Sequence, residues 1–279
     1  MITHFKWPLE KKSATMVTIE LDGEYLWIPL SEKVKTTPKS MSVGTYAWKR
    51  GAKRILDSLE EHEIRATVFT PGAVAQNYPE IVRAFVEKGH EIALHGWEHE
   101  NFGLLEETEQ KIIIEKSIDE ICKCTGKVPV GFRAPEGEMT PGTLGLLEEA
   151  GLLYDNSFHD NDIPYFVGEK GRFVEIPMRW ELHDLVYFAF CWGPDYPIGE
   201  SRVSDYRQAV GNFKAEAKAY NDFGLCCVLK FEPAIIGNPG RIALMNDVLD
   251  YVCNIDTWIA TGEQIALFVR EDRKKDYSE

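Results

Sequence analysis

Short apolar runs alternate with longer stretches of helical periodicity from one end of the chain to the other. Residues 16–21 (MVTIEL) read as a strand and residues 46–62 as an amphipathic helix. A second strand over 65–70 (RATVFT) ends at the Pro71-Gly72 turn signal, and a helix then runs to about residue 88. The run EIAL at 91–94, set off by Gly89, is a third strand, followed by a charged helix over 106–122. Residues 128–135 (VPVGFRAP) supply a fourth strand, 140–150 a helix, and 153–157 a fifth strand. Later strands at 173–180 (FVEIPMRW) and 226–231 (CCVLKF) enclose a helix over 203–220. A helix over 241–254 and a short strand at 258–261 precede a C-terminal helix.

A strand–helix alternation of this length demands a mainly parallel sheet, because parallel neighbours need crossover connections. No Gly/Ser-rich or Pro-rich linker interrupts it, so residues 1–279 are expected to form one closed or nearly closed α/β barrel domain. Barrels of this kind gather functional residues where strands end. The polar clusters here fall at such ends: Glu20-Leu21-Asp22-Gly23-Glu24, His95-Gly96-Trp97-Glu98-His99, Arg133-Ala134-Pro135-Glu136-Gly137 and Lys230-Phe231-Glu232-Pro233, with Arg241 a little further on. The H-x-x-x-H of His95 and His99 is by itself a weak signal of a metal, since histidines on a helix surface often show it. Joined to a carboxylate from another strand end, it becomes a two-nitrogen, one-oxygen set that leaves positions open for water and substrate.

Composition narrows the partners. Apolar residues make up 44% and charged residues 27%, which is ordinary for a globular chain. A formal charge of −14 offers no basic stripe to displace counterions, so nucleic acid is not expected as a ligand. No run approaches the roughly 18 apolar residues of a membrane span, and the opening MITHFKWPLEKKSATM has no continuous apolar segment of the signal-peptide type. A cytoplasmic protein acting on a small molecule is expected. Cys122, Cys124, Cys191, Cys226, Cys227 and Cys253 form no C-x-x-C pair and lie mostly in apolar segments, so buried free thiols are expected.

The ordered set TIELDGE, GHEIALHGWEHEN, GFRAPEG and GNPGRI resembles the successive motifs of the NodB-homology polysaccharide deacetylases, carbohydrate esterase family 4. The resemblance covers nearly the whole chain and implies a distorted (β/α)7 barrel. YDNS at 154–157 and EIPMRWELHD at 175–184 are more similar to the intracellular branch, which holds an atypical peptidoglycan deacetylase, the PuuE-type allantoinases and cyclic imide hydrolases. The resemblance implies Asp22, His95 and His99 as ligands of a divalent metal, zinc for preference, and Arg133 as the residue that orients the catalytic base. It also implies homo-oligomers, a tetramer for preference.

Two positions depart from the family pattern: Glu20 stands where the usual base is Asp, and Glu232 where the usual acid is the His of a His-Pro pair. A carboxylate remains at the first, on an arm one methylene longer. At the second, a Glu serves as a proton donor only with a raised pKa. The expected function is therefore hydrolysis of a non-peptide carbon–nitrogen bond in a small cyclic amide, ureide or N-acetylated sugar, with Glu20 and Glu232 as base and acid. A metal-independent variant is one alternative, and a catalytically impaired barrel used for binding or assembly is another. Trp97, Glu136, Trp180 and Arg241 are candidate substrate contacts. Glu24 and Glu98 read as solvated, His90 as structural, and His183-Asp184 and His159-Asp160 as pocket-rim pairs.

Overall fold

The computed structural model describes residues 6–28, 37–168, 171–189 and 203–276, and Cys191 lies outside them. The chain divides into two compact units, each built from separated stretches: Met1–Ile64 with Arg179–Ile259, and Arg65–Met178 with Ala260–Glu279. Among the described residues the strands are β1 (Ser13–Glu20), β2 (Thr67–Thr70), β3 (Glu91–Leu94), β4 (Gly131–Phe132), β5 (Tyr154–Asp155), β6 (Tyr165–Val167), β7 (Phe173–Glu175), β8 (Cys226–Phe231) and β9 (Thr257–Ile259).

In the first unit β1 pairs in parallel with β8, from Ala14 opposite Cys226 to Ile19 opposite Phe231, and with β9 from Ser13 opposite Thr257. Every residue of β1 is buried, as expected of a parallel strand covered on both faces. Its apolar neighbours on β8 include the thiols of Cys226 and Cys227, which burial pushes above the ordinary range, Cys226 to about 12. In the second unit β2, β3, β4, β5 and β7 run parallel in that order, and β6 closes back antiparallel on β7. The helix Glu107–Thr125 opens with a capping box between Glu106 and Glu109 and stops at Gly126, whose φ is +73°.

The α/β alternation matches the sequence reading, with local differences. The expected helix to residue 88 is two helices, Gly72–Asn77 and Pro79–Glu87, because Pro79 has no N–H to continue the first. The expected strand over 128–135 contracts to Gly131–Phe132, between Pro129 and Pro135, which cannot donate to a ladder. Likewise β7 ends at Glu175, two residues before Pro177. The antiparallel β6 has no counterpart in the sequence reading; its three residues are too few to show a period.

Candidate active site

In the first unit the site grows out of strand register. Thr18 of β1 stands opposite Lys230 of β8. Side chains alternate along a strand, so Thr18 and Glu20 project one way with Lys230 beside them, and Asp22 and Glu232 follow just beyond the two strand ends. Lys230 Nζ reaches Glu20 Oε1 at 2.7 Å, an ion pair whose carboxylate is buried and whose lysine is half-buried. His183 joins them through an isolated parallel bridge to Lys230, and its Nε2 lies 2.9 Å from Glu232 Oε1, 3.6 Å from Asp184 Oδ1 and 4.0 Å from Glu20 Oε2. Asp184 Oδ2 accepts the backbone N–H of Glu232 at 3.0 Å. Gly51 allows the turn after Glu232 to come this close: a Cβ there would sit 2.0 Å from the carbonyl oxygen of Pro233. His183 and Asp184 are thus buried, and the rim position read from the sequence is corrected. The error arose because the bridge that draws them in is a single residue pair, with no pattern of its own.

The electrostatics separate the carboxyls. Burial raises Glu232 well above the usual carboxylate range, and the charges of Glu20, Asp184 and Asp22 add to it, with Lys230 in partial opposition. Burial and the Glu20 charge push Asp184 up to about 8. Glu20 has the ammonium of Lys230 in direct contact, which favours its charged form. Glu24, read as solvated, is instead buried and accepts a hydrogen bond from Trp48 Nε1.

In the second unit β3 delivers His95, whose Nδ1 lies 2.7 Å from the carbonyl oxygen of Arg133. A carbonyl only accepts, so Nδ1 carries the ring proton and Nε2 keeps its lone pair. The turn that follows is tightly held: Gly96 has φ +69°, and its carbonyl accepts from Gly72 N and Ser117 Oγ, both at 3.0 Å. A Cβ on Gly96 would meet Glu100 Oε2 at 2.9 Å and Pro135 Cγ at 3.0 Å. His99 packs edge-on to His95 with ring centroids 4.9 Å apart. Both His99 (φ +66°) and Glu136 (φ +59°) hold left-handed backbones that their side chains disfavour, and Glu136 Oε1 lies 3.6 Å from His99 Nδ1. Such strain persists only where the surroundings over-determine it, and it concentrates at functional sites.

Arg133 is fully buried over the ring of Phe69, 4.1 Å from its centroid. Its Nε donates to the Asn156 carbonyl at 3.2 Å, and its terminal nitrogen donates to the Asn156 side chain. Beneath it, Ser157 Oγ accepts from Ala134 N and donates to Asp155 Oδ1, each at 2.8 Å, while Glu175 Oε1 accepts from Ser157 N and Phe158 N. The parallel register sets Asp155 opposite Glu175. Burial pushes Asp155 from an ordinary 3.8 up to about 6, and burial together with the Asp155 charge takes Glu175 well above its ordinary value. A carboxyl with a raised folded pKa stabilises the native state most below its unfolded pKa, and that contribution is lost as pH rises through the folded one. Asp155→Asn should therefore gain stability relative to wild type as pH rises from about 4 to above 6, read as the difference in urea midpoints. A pH-independent difference would contradict this titration.

The remaining candidates are more peripheral. Trp97 is half-buried, with Lys116 Nζ 3.3 Å above its ring and Gly72 against its edge. Trp180 is 69% exposed in the turn that leads to His183. Arg241 donates to the Ile235 carbonyl at 3.3 Å and lies over Phe188. Glu98 is exposed and His159 half-buried, while the exposed Asp160 accepts from the Tyr165 hydroxyl at 2.6 Å. His90 accepts from Ala66 N through Nδ1, and burial lowers it to about 4, a structural histidine.

The polysaccharide deacetylase family matches residues 38–154. A peptidoglycan deacetylase-like protein of Gibberella zeae is 30% identical over 202 residues, and a peptidoglycan deacetylase of Helicobacter pylori is 30% identical over 192. Those matches span 63% and 60% of this chain but only 60% and 65% of the relatives, less than two thirds of either. A crystal structure from Mycobacterium smegmatis, of a protein assigned to the polysaccharide deacetylases, superposes with TM-score 0.91 at 33% identity, covering 97% of this chain and 94% of that one. A PuuE allantoinase shares the fold at 23% identity and TM-score 0.81, covering 96% of this chain and 93% of that one. These likenesses give the chain the α/β barrel fold of the NodB-homology type that its motifs led us to expect. From the family match, and from a solved homologue that aligns along almost the whole chain, the protein belongs to the polysaccharide deacetylase family, the NodB-homology hydrolases of carbohydrate esterase family 4.

Proposed function

We propose that the chain, acting as one 279-residue domain, hydrolyses a non-peptide carbon–nitrogen bond in a small cyclic amide, ureide or N-acetylated sugar. The observation that carries this reading is the division of labour between Glu20 and Glu232. One buried carboxyl is in contact with an ammonium, and the other is held toward its protonated form by burial and neighbouring charge. Titratable neighbours driven apart in this way are suited to base and acid roles. Glu20 takes a proton from the attacking water as oxygen bonds to the carbonyl carbon. Glu232 gives a proton to the nitrogen as the carbon–nitrogen bond breaks.

The residues also suit a divalent metal. His95 presents Nε2 as a lone-pair donor because Nδ1–H is committed to Arg133, an arrangement typical of metal-ligating histidines. We assign His95, His99 and Asp22 as the ligands, with Asp22 assigned from its sequence motif, and zinc as the ion of preference. Such an ion, when bound, polarises a carbonyl and lowers the pKa of water. Trp180, exposed three residues before His183, is proposed as an aromatic wall for substrate, with Trp97, Glu136 and Arg241 as further contacts.

No helix among the described residues is long and apolar enough to cross a membrane. A cytoplasmic homotetramer is the setting we propose. A second reading, a barrel kept for binding or assembly, draws on the replacement of both usual acid–base residues by Glu20 and Glu232. The two readings separate in a screen of purified protein against allantoin, succinimide and N-acetylglucosamine, with elemental analysis of the same sample. The hydrolase reading expects turnover of at least one compound and about one bound divalent ion per chain. Absence of turnover across the panel, with tight binding of one member, would favour the binding protein.

A further inference from the structure

The imidazole that the family pattern leads one to expect at the end of β8 is replaced by Glu232, yet the fold brings an imidazole beside that glutamate from a different segment. His183 arrives through its bridge to Lys230, and its Nε2 lies 2.9 Å from Glu232 Oε1. Its neighbour Asp184 holds the backbone N–H of that same glutamate at 3.0 Å. One dipeptide thus grips Glu232 by side chain and main chain together, and all three residues are buried. Among the described residues, the ionisable groups around the imidazole include Glu232, Asp184 and Glu20, with Lys230 on Glu20 and the charge of Asp22 acting on Glu232. Burying an imidazole among three carboxyls is costly unless each proton has a defined place.

Resting on the hydrolase reading, we propose that His183 is the positioning residue that makes Glu232 a directed proton donor. In this dyad the imidazole Nε2–H donates to Glu232 Oε1, which fixes the carboxyl plane and leaves the proton on Oε2. As the carbon–nitrogen bond breaks, the Oε2 proton passes to the leaving nitrogen, and the new carboxylate is stabilised by the Nε2–H it already accepts. The proton that Glu20 takes from water is returned through solvent to Glu232, so amide and water become acid and amine with no other reactant. The family's imidazole has in effect been divided, with the donor on β8 and its orienting ring on the bridge segment.

The test uses leaving-group dependence, which a merely structural histidine would not alter selectively. A phenolate leaves without a proton, whereas an amide nitrogen needs one. Kinetics of His183→Asn and His183→Gln are compared on 4-nitrophenyl acetate and on the panel amide that the wild type turns over. We expect His183→Asn, too short to reach Oε1, to lower kcat on the amide about 10- to 100-fold. Its loss on the aryl ester should be at least about ten times smaller, with little change in KM. His183→Gln, whose amide N–H falls near the position of Nε2, should recover most of the amide rate. In a Glu232→Gln background, His183→Asn should add little, because the two act as a unit. Equal losses on ester and amide, additive losses in the double variant, or no rescue by Gln would each overturn the role. Wild-type protein that cleaves neither probe would overturn the hydrolase reading and the dyad's role with it. Turnover with the wrong pattern overturns the dyad alone.

Discussion

Glu20→Gln should lower kcat by about 10²- to 10⁴-fold with a smaller change in KM, the range for loss of a positioned acid–base group. The substitution keeps the shape and removes the charge, so it also leaves Lys230 Nζ without the carboxylate now 2.7 Å away. Part of the effect could then come from a rearranged Lys230, and Glu20→Asp distinguishes the two sources. Aspartate restores the charge and the family's usual residue but withdraws the carboxyl by one methylene. A displacement of about 1 Å costs on the order of 100-fold when position is what matters. A partial loss in Glu20→Asp and a larger one in Glu20→Gln, both with wild-type melting curves, is the expected pattern in steady-state kinetics. Unchanged turnover in Glu20→Gln would remove Glu20 from the mechanism.

The largest stability effect is expected at Arg133. Arg133→Met should destabilise the protein by about 3–5 kcal/mol, measured by urea unfolding, because it breaks a buried charged network from one side. The guanidinium is enclosed by Phe69 and Asn156, and its charge acts on Asp155. Methionine fills much of the volume but leaves the Asn156 carbonyl and side-chain oxygen without their donor. Arg133→Lys would not be conservative, since a single ammonium cannot reproduce the planar fork that meets both Asn156 acceptors. A change under about 1 kcal/mol in the methionine variant would mean that the network contributes little and that Arg133 serves catalysis alone.

Periodicity and turn signals were enough to place most strands and helices, because apolar runs such as CCVLKF and EIAL are bounded by polar or glycine punctuation. Strand ends near prolines were overextended, since a run of apolar residues does not reveal which N–H groups have a ladder partner. Glu20, Asp22, His95, His99, Arg133 and Glu232, read from the sequence as site residues at strand ends, are all buried. What the sequence could not show was pairing across distance. The Asp155–Glu175 acid pair exists because two parallel strands align in one register, and His183 meets Glu232, 49 residues away in sequence, through its one bridge to Lys230. YDNS marked a branch of the family in the sequence; in the structure it is the support on which Arg133 rests.

The β1–β8 register has an evolutionary consequence. Thr18 faces Lys230, and the alternation that follows turns Glu20, Lys230 and Glu232 to one side while Ile19 and Phe231 fill the other. Inserting or deleting one residue would exchange the two sides of that strand, driving Glu20 into the hydrocarbon packing from β1, or Lys230 and Glu232 from β8. A lineage carrying this arrangement can therefore exchange one carboxyl or imidazole for another by point substitution, whereas changes of length must be confined to the loops beyond the strand ends.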